Sequence, residues 1–367
     1  MRYVWLAAVL ATGCGAAVTP AAPREAVAPA APRGCGGPVA PSGLGAIHFL
    51  SDQVGVGLTL PARRCGPMLA VTRDGGLRWA TEGSPLPGTG LVEQLVATST
   101  ADAWAAVGDG RLMATTDGGA TWTAQTPRGR VAGLAVSRRA LWELDCLSPP
   151  SSTCIGVLLR KALPDGAPTI SSPKIISPDP QLVRDGGTML ISAPRAGAPG
   201  GNLVAFTHGG RRFSERIDPR WMRQPCQPAA LTARGRTWWL LCLGGAAAGS
   251  SEKALLRTTD GGKKWQVVAQ VTSLTTPPPP GSITLEEPDA IAAGSPKRLW
   301  FAALNNLYES GDGGARWSPV PGPNPQGSPA SFDVLSPTHG WLLAAGQGLW
   351  RTTDGRDWTA LGQSPTP

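Results

Sequence analysis

Apolar positions in this chain recur in short runs, without the long stripes of an amphipathic helix. The cleanest stretch reads Val92-Glu93-Gln94-Leu95-Val96-Ala97, Ala103-Trp104-Ala105-Ala106-Val107-Gly108, Arg111-Leu112-Met113-Ala114-Thr115 and Thr121-Trp122-Thr123-Ala124. Each run is rich in small, β-branched or aromatic residues and is bounded by Gly, Asp, Ser or Thr. Such runs between turn residues predict strands, and four in succession predict an antiparallel meander. With 48 Gly and 37 Pro the chain is also rich in turns, which agrees with many short strands.

The third and fourth runs are joined by Thr115-Thr116-Asp117-Gly118-Gly119-Ala120-Thr121-Trp122, and this unit repeats. It recurs around Asp74, Asp260 and Asp312 with a Trp five residues on (Trp79, Trp265, Trp317), and one residue shorter at Asp354 and Trp358. The Asp can cap backbone N–H groups, the glycines accept positive φ, and the Trp can fold back over the turn. Two degenerate copies fill the long gap: Pro164-Asp165-Gly166-Ala167, and Thr207-His208-Gly209-Gly210 with Phe213 in the Trp position. Turns then fall at 74, 117, 165, 208, 260, 312 and 354, spaced 42 to 52 residues apart. A second Trp set sits in the second-strand slot, at Trp104, Trp142, Trp238, Trp300 and Trp341. A four-stranded antiparallel unit at this period is the sequence signature of a propeller blade. The expected fold is all-β, a seven-bladed β-propeller with blades over 44–84, 91–127, 131–176, 181–217, 226–270, 288–320 and 329–362.

The N-terminus differs in kind. Residues 1–14 read as an export signal: Arg2, an apolar stretch from Tyr3 to Leu10, then Ala11-Thr12-Gly13-Cys14. The last four resemble the lipobox of bacterial lipoproteins, so Cys14 is the expected lipidation site. The alternative is plain secretion with cleavage after Ala17. Residues 15–43 are rich in Ala and Pro with few large apolar side chains, and read as a tether. With lipid on Cys14, the expected location is the outer face of a bacterial membrane, held by lipid alone; the alternative leaves the protein secreted. Six cysteines remain: Cys35, Cys65, Cys146, Cys154, Cys226 and Cys242. Local spacing pairs them in that order, although fifteen pairings are possible.

A formal net charge of +8 changes little, because no basic run stands out. A nucleic-acid partner is therefore not expected. The turn aspartates Asp74, Asp117, Asp260, Asp312 and Asp354 invite a catalytic or calcium reading. Spread around a ring, however, they cannot converge on one substrate, and capping accounts for them. His48, His208 and His339 occupy different repeat positions and form no metal set. No cofactor motif is present, and a monomer is expected.

The turn resembles the Asp-box of BNR-repeat propellers. Thr338-His339-Gly340-Trp341-Leu342 and Gly348-Leu349-Trp350-Arg351-Thr352-Thr353-Asp354-Gly355 look most like the photosystem II assembly-factor type and its non-photosynthetic bacterial relatives. Sialidases and the sortilin ectodomain share the motif. A sialidase would need a Tyr nucleophile, yet outside the signal only Tyr308 exists, on a third strand away from the channel. What the resemblance implies is a non-catalytic binding or assembly scaffold for a protein or glycan at the cell envelope. A glycoside hydrolase or lyase on the same fold is the alternative, with Glu93, Glu286, Glu287 and Asp289 as the carboxylates to consider.

The irregular insertions fall in loops between second and third strands and in connectors between blades. These open on the face opposite the Asp turns, and variation on a rigid frame is where binding usually resides. Arg63, Arg64, Trp221 and Arg223 are the expected contributors to a partner site there. Trp221 has a second reading, as a ring covering a blade junction.

Overall fold

The computed structural model describes residues 35–362, apart from 63–64, 89–90, 109, 128, 138–139, 148–153, 163–168, 178–179, 187, 195–201, 209–212, 218–219, 222–223, 226, 249, 305 and 325–329. The expected signal, Cys14 and the tether up to Gly34 lie outside the described residues. Among those described there is no α-helix, and the strands form one five-stranded sheet, six four-stranded sheets and one two-stranded hairpin. All ladders are antiparallel and each large sheet is a simple meander. The second, for example, orders Val92–Ala97, Ala103–Val107, Leu112–Thr115 and Thr123–Gln125.

The innermost strands make a closed circuit. Leu44–Phe49 touches Val92–Ala97, which touches Arg130–Ser137. Contacts continue through Gln181–Asp185, Gln227–Arg234, Pro288–Ala293 and Ala330–Val334, and the last returns to Leu44–Phe49. Buried clusters follow the same circuit, one between each successive pair of sheets. Leu58, Val71, Leu95 and Met113 join the first sheet to the second; Trp239, Leu255, Phe301 and Trp317 join the fifth to the sixth. The final cluster, with Phe49, Trp79, Trp341 and Leu349, joins the last sheet to the first. There the Phe49 ring stacks on Trp341 with centroids 3.6 Å apart.

Within each intact turn the Asp does local work. Asp74 Oδ1 accepts from the Thr72 hydroxyl at 3.0 Å and from the Arg78 N–H at 2.9 Å, while Thr72 Oγ1 accepts from the Gly76 N–H. The same set recurs around Asp117, Asp260, Asp312 and Asp354. The Lys264 N–H and the Thr258 hydroxyl hold the Asp260 carboxyl below its ordinary range, and the Arg356 and Asp357 N–H groups do so for Asp354.

The turns also receive the neighbouring sheet. Trp239 Nε1 donates to Gly313 O, Trp300 Nε1 to Gly355 O and Trp341 Nε1 to Gly75 O, at 2.9 to 3.3 Å. Each donor is a second-strand Trp of one sheet, and each acceptor is the first turn glycine of the next. Trp239 thus fills the repeat slot that the sequence pattern gave to Trp238; Trp238 faces the other side of its sheet, into the cluster with Leu190 and Leu231. Arg257 and Arg351, one residue before the turn Thr, reach the same places. A Cβ on Gly313 would lie 2.4 Å from Arg257 Nη1, and one on Gly75 would lie 2.3 Å from Arg351 Nη1. Both glycines also hold positive φ, +81° and +75°, so only Gly fits.

Residues 37–43 are not part of a free tether as expected. Gly37–Val39 pairs with Trp79–Thr81 as a fifth strand on the outer edge of the first sheet. Thr81 Oγ1 accepts from the Gly37 N–H and donates to Gly37 O. The edge offers unpaired backbone groups that a short segment can satisfy, whatever its composition. Pro41 then packs on Gly362 beyond the last strand, so this segment straddles the seam between first and last sheets. Cys35–Cys65 and Cys146–Cys154 are disulfides, and Cys242 is also disulfide-bonded; Cys226 lies outside the described residues. The 243–253 insertion is a hairpin extension, with Thr237–Ala247 and Ser250–Thr258 paired as far as Ala247 and Ser250.

Beneath that hairpin lies Lys253, fully buried, donating to Thr284 O and Glu286 O at 2.8 and 2.7 Å. It pins the long 272–287 connector to the fifth sheet, and burial lowers its pKa to about 8, opposed by Glu287 and Glu286.

Two predictions follow from this packing. Asp312→Ala removes three turn bonds and should cost about 1–2 kcal/mol in urea unfolding, whereas Gly313→Ala should cost at least about 2 kcal/mol because it adds φ strain and displaces Arg257. Between pH 8 and 10.5 the unfolded chain holds the Lys253 proton that the folded chain has released, so native stability relative to Lys253→Met should rise with pH across that window. The expected gain is on the order of 3 kcal/mol, read from denaturation midpoints of the two proteins at pH 7.5 and 10.

Candidate functional site

Antiparallel meanders place the first loop and the Asp turn at one end of each sheet. The loop between second and third strands and the connector to the next sheet lie at the other end. Hydrogen bonds fix the first pairing: Gly75 N–H donates to Gln53 O, Gly118 N–H to Ala101 O, Gly261 N–H to Arg236 O and Gly313 N–H to Lys297 O. Each of these Asp turns is therefore clasped to the first loop of its own sheet.

The connector end is open. A cavity of about 1170 Å³ enters there and runs along the innermost strands of the first, second and last sheets. Its mouth is formed by Thr59, Leu60 and Pro61, by Leu91 and Gly108, and by Ser331 and Ala345. Ile47, Leu95, Val96, Leu134 and Phe332 line its walls, and His48 and Asp333 lie deeper. Leu91 is the most exposed large apolar side chain among the described residues, at 63%.

The polar groups on these inner strands are chiefly engaged with one another. An innermost strand has no partner on its channel side, so its backbone N–H groups need acceptors. Neighbouring side chains supply several. Gln94 Oε1 accepts from Leu134 N–H, Gln181 Oε1 from Leu231 N–H, Thr232 Oγ1 from Ala293 N–H, and Asp333 Oδ2 from Phe49 N–H. Each bond crosses from one sheet to the next. Arg234 spans further, donating to Gly294 O and to Val334 O. Asp333 also lies 3.7 Å from His48 Nδ1. Burial raises the Asp333 carboxyl, and His48, the Phe49 N–H and Arg234 pull it back down. Glu93 is the second carboxylate of the cavity, at the mouth beside Gly108.

Of the four residues expected at a partner site, only Trp221 is among the described residues. Arg63 and Arg64 lie outside the described residues. The residues that flank them, Ala62 and Cys65, form an isolated antiparallel bridge, and Cys65 is disulfide-bonded to Cys35. Trp221 pairs with Gln224 in the small hairpin between the fourth and fifth sheets, far around the circuit from the first sheet. Arg223 lies outside the described residues. Tyr308 packs on Phe301 in the sixth sheet, and burial raises its pKa; it does not line the cavity. Glu286 accepts from Asn306 Nδ2 and helps to seat the connector. No group of three or more potential metal ligands occurs among the described residues. The residues that sequence reasoning missed are Gln94, Gln181, Thr232, Arg234 and Asp333. Their only sequence signal is a polar residue at a position in a first strand.

No protein-family profile matches the chain, and no curated protein matches it. Among solved structures it is similar to YCF48 bound to D1 peptide, with a TM-score of 0.58, 14% identity, and coverage of 89% of this chain and 99% of that one. It is similar to YCF48 from Cyanidioschyzon merolae, with a TM-score of 0.54, 15% identity, and coverage of 86% and 96%. An ancestral GH74 enzyme matches with a TM-score of 0.55 and 13% identity, over 91% of this chain but 48% of that one. At these identities the likeness is one of fold: the chain is a β-propeller.

Proposed function

We propose that this chain is a seven-bladed propeller of the Asp-box type that binds an extended polypeptide segment at the open mouth of its channel. The observation that carries this reading is the cavity itself. Its walls are mostly aliphatic, and its deeper carboxylate, Asp333, accepts the Phe49 N–H across the seam between last and first sheets. A concave, largely apolar, preformed site with a few fixed polar groups is the usual form of a binding site. The similar YCF48 propeller holds a peptide, which supports the same class of ligand here. Export through residues 1–14, with lipid on Cys14, would present this mouth at the outer face of a bacterial membrane.

The hydrolase reading rests on the GH74 fold likeness. Glycoside cleavage by two carboxylates requires both to flank the bond and one to take or give a proton. Of the two carboxylates lining the cavity, Asp333 already serves a backbone N–H, which favours binding over cleavage. A glycan ligand is the rival within the binding reading.

Screening the protein against a displayed library of unstructured peptides beside a glycan array separates these. Peptides should be enriched, and Ser331→Trp, which fills the mouth, should weaken their binding at least ten-fold. Leu77→Ser, on an exposed residue of an Asp turn, should leave it unchanged. Glycan binding without peptide enrichment, or loss on Leu77→Ser alone, would refute the proposal.

A further inference from the structure

The first strands of the second, third and fifth sheets share an irregularity near their connector end. The ladder register shifts between Val92 and Gln94, between Val131 and Gly133, and between Pro228 and Ala230. Glu93, Ala132 and Ala229 are left as bulged residues, and a leucine stands two residues beyond each: Leu95, Leu134 and Leu231. The Leu134 and Leu231 N–H groups point away from their own ladders. They donate to glutamines of the preceding sheet, Gln94 Oε1 at 2.7 Å and Gln181 Oε1 at 3.0 Å. Gln181 uses both ends of its amide, because its Nε2 donates to Ala229 O, the carbonyl of the bulged residue. A bulge carbonyl and the N–H two residues on are thus spaced to receive a carboxamide.

Glu93 and Leu95 present the same pair in the second sheet, with no amide on it. The Thr98 N–H donates to Asp102 O within its own sheet, so the alternation of an antiparallel ladder turns the Leu95 N–H to the channel side. The first sheet has its bulge at Gly45, and Ala46 takes the place that Gln94 holds in the second. Each is the first paired residue after its bulge, Ala46 opposite Leu58 and Gln94 opposite Ala106. Ala46, Leu58 and Leu95 share one buried cluster, so Ala46 faces the second sheet. A methyl cannot accept, and no side chain among the described residues accepts from the Leu95 N–H. Ala46, Glu93 and Leu95 all line the cavity, and a buried N–H is costly until an acceptor reaches it. At the other junction of the cavity Leu60 packs on the bulged Gly45, which leaves Glu93 and Leu95 as the open pair. Both lie on the strand Val92–Ala97.

We infer that the cavity holds a subsite for a carboxamide. A Gln or Asn side chain of the bound segment enters between the first and second sheets, its oxygen accepting from the Leu95 N–H and its NH2 group donating to Glu93 O. The protein's own Gln181, bonded to Leu231 N–H and Ala229 O, shows the chemistry that fits such a pair. The inference rests on the segment-binding reading given above and adds the side chain that the segment presents. A carboxylate of the same shape would set a second acceptor against Glu93 O, and a leucine would leave both groups unpaired. Either loss is heavily penalised in a buried site.

Two measurements separate the subsite from the reading it rests on. In the first, the urea-unfolding midpoints of Ala46→Gln and Ala46→Met are compared without ligand. The new side chains have similar volume, but only Gln can bridge the Leu95 N–H and Glu93 O, so Ala46→Gln should have the higher midpoint. A midpoint equal to that of Ala46→Met, or below it, would overturn the proposal. In the second, a displayed library of unstructured peptides is selected on the native chain. The recovered peptides should share a Gln or Asn at one position. Replacing it by Glu or Leu in a synthetic copy should weaken binding at least about ten-fold, and so should Ala46→Gln in the protein. Amide hydrogen exchange at Leu95 should slow several-fold with the parent peptide and not with the Leu copy. Peptides that share no carboxamide, or binding indifferent to its replacement, would defeat the subsite while leaving the mouth a segment-binding site. Recovery of no peptide would defeat both readings.

Discussion

A four-stranded sheet whose two faces are both apolar cannot stand alone in water; it must be covered on each side. In this protein the cover is the next sheet, and at three of the junctions the same contact recurs. A tryptophan from one sheet lies in the interface and donates its indole N–H to the first turn glycine of its neighbour, as Trp239, Trp300 and Trp341 do. The ring contributes apolar burial and the N–H gives direction, so the contact sets both how closely two sheets approach and their relative height. Because the accepting carbonyl belongs to the Asp turn, the internal bonds of that turn and the contact between sheets depend on each other. Arg351 at Gly75, Arg257 at Gly313 and the Pro337 carbonyl at Gly355 leave no room for a side chain there.

That constraint also decides where the molecule is open. Turn, first loop and incoming tryptophan are all spent at one end of the sheets. The other end carries connectors of unequal length, and the cavity of the first, second and last sheets opens there. Along the channel the innermost strands lack a hydrogen-bonding neighbour. Gln94, Gln181, Thr232 and Asp333 meet part of that need by crossing from sheet to sheet. They hold the circuit together from inside as the tryptophans do from within the interfaces.

The seam between last and first sheets has further reinforcement. Phe49 on Trp341, Asp333 on the Phe49 N–H, and Pro41 against Gly362 all span it. The strand Gly37–Val39 ties the segment before it to the first sheet, and Cys35–Cys65 extends that tie to the cavity rim. Structure that secures the seam is therefore joined covalently to the loop that follows Pro61.

Local chemistry made much of this legible. An Asp-Gly-Gly turn with a tryptophan at fixed distance dictates its own hydrogen bonds, and its recurrence dictates four-stranded units in a series. The cysteine spacing likewise points to Cys35–Cys65 and Cys146–Cys154, because short loops bring their ends together cheaply. What the sequence could not decide is which groups meet across the circuit. Asp333 and Phe49 are 284 residues apart, and Trp238 and Trp239 look alike until the pleat turns them to opposite faces. Edge pairing by Gly37–Val39 was equally hidden, since it depends on a vacant strand edge and not on the residues that fill it. The candidate site lay beyond local reading for the same reason: Leu60, Leu91, Glu93 and Ser331 belong to three different sheets, and only closure of the circuit sets them around one opening.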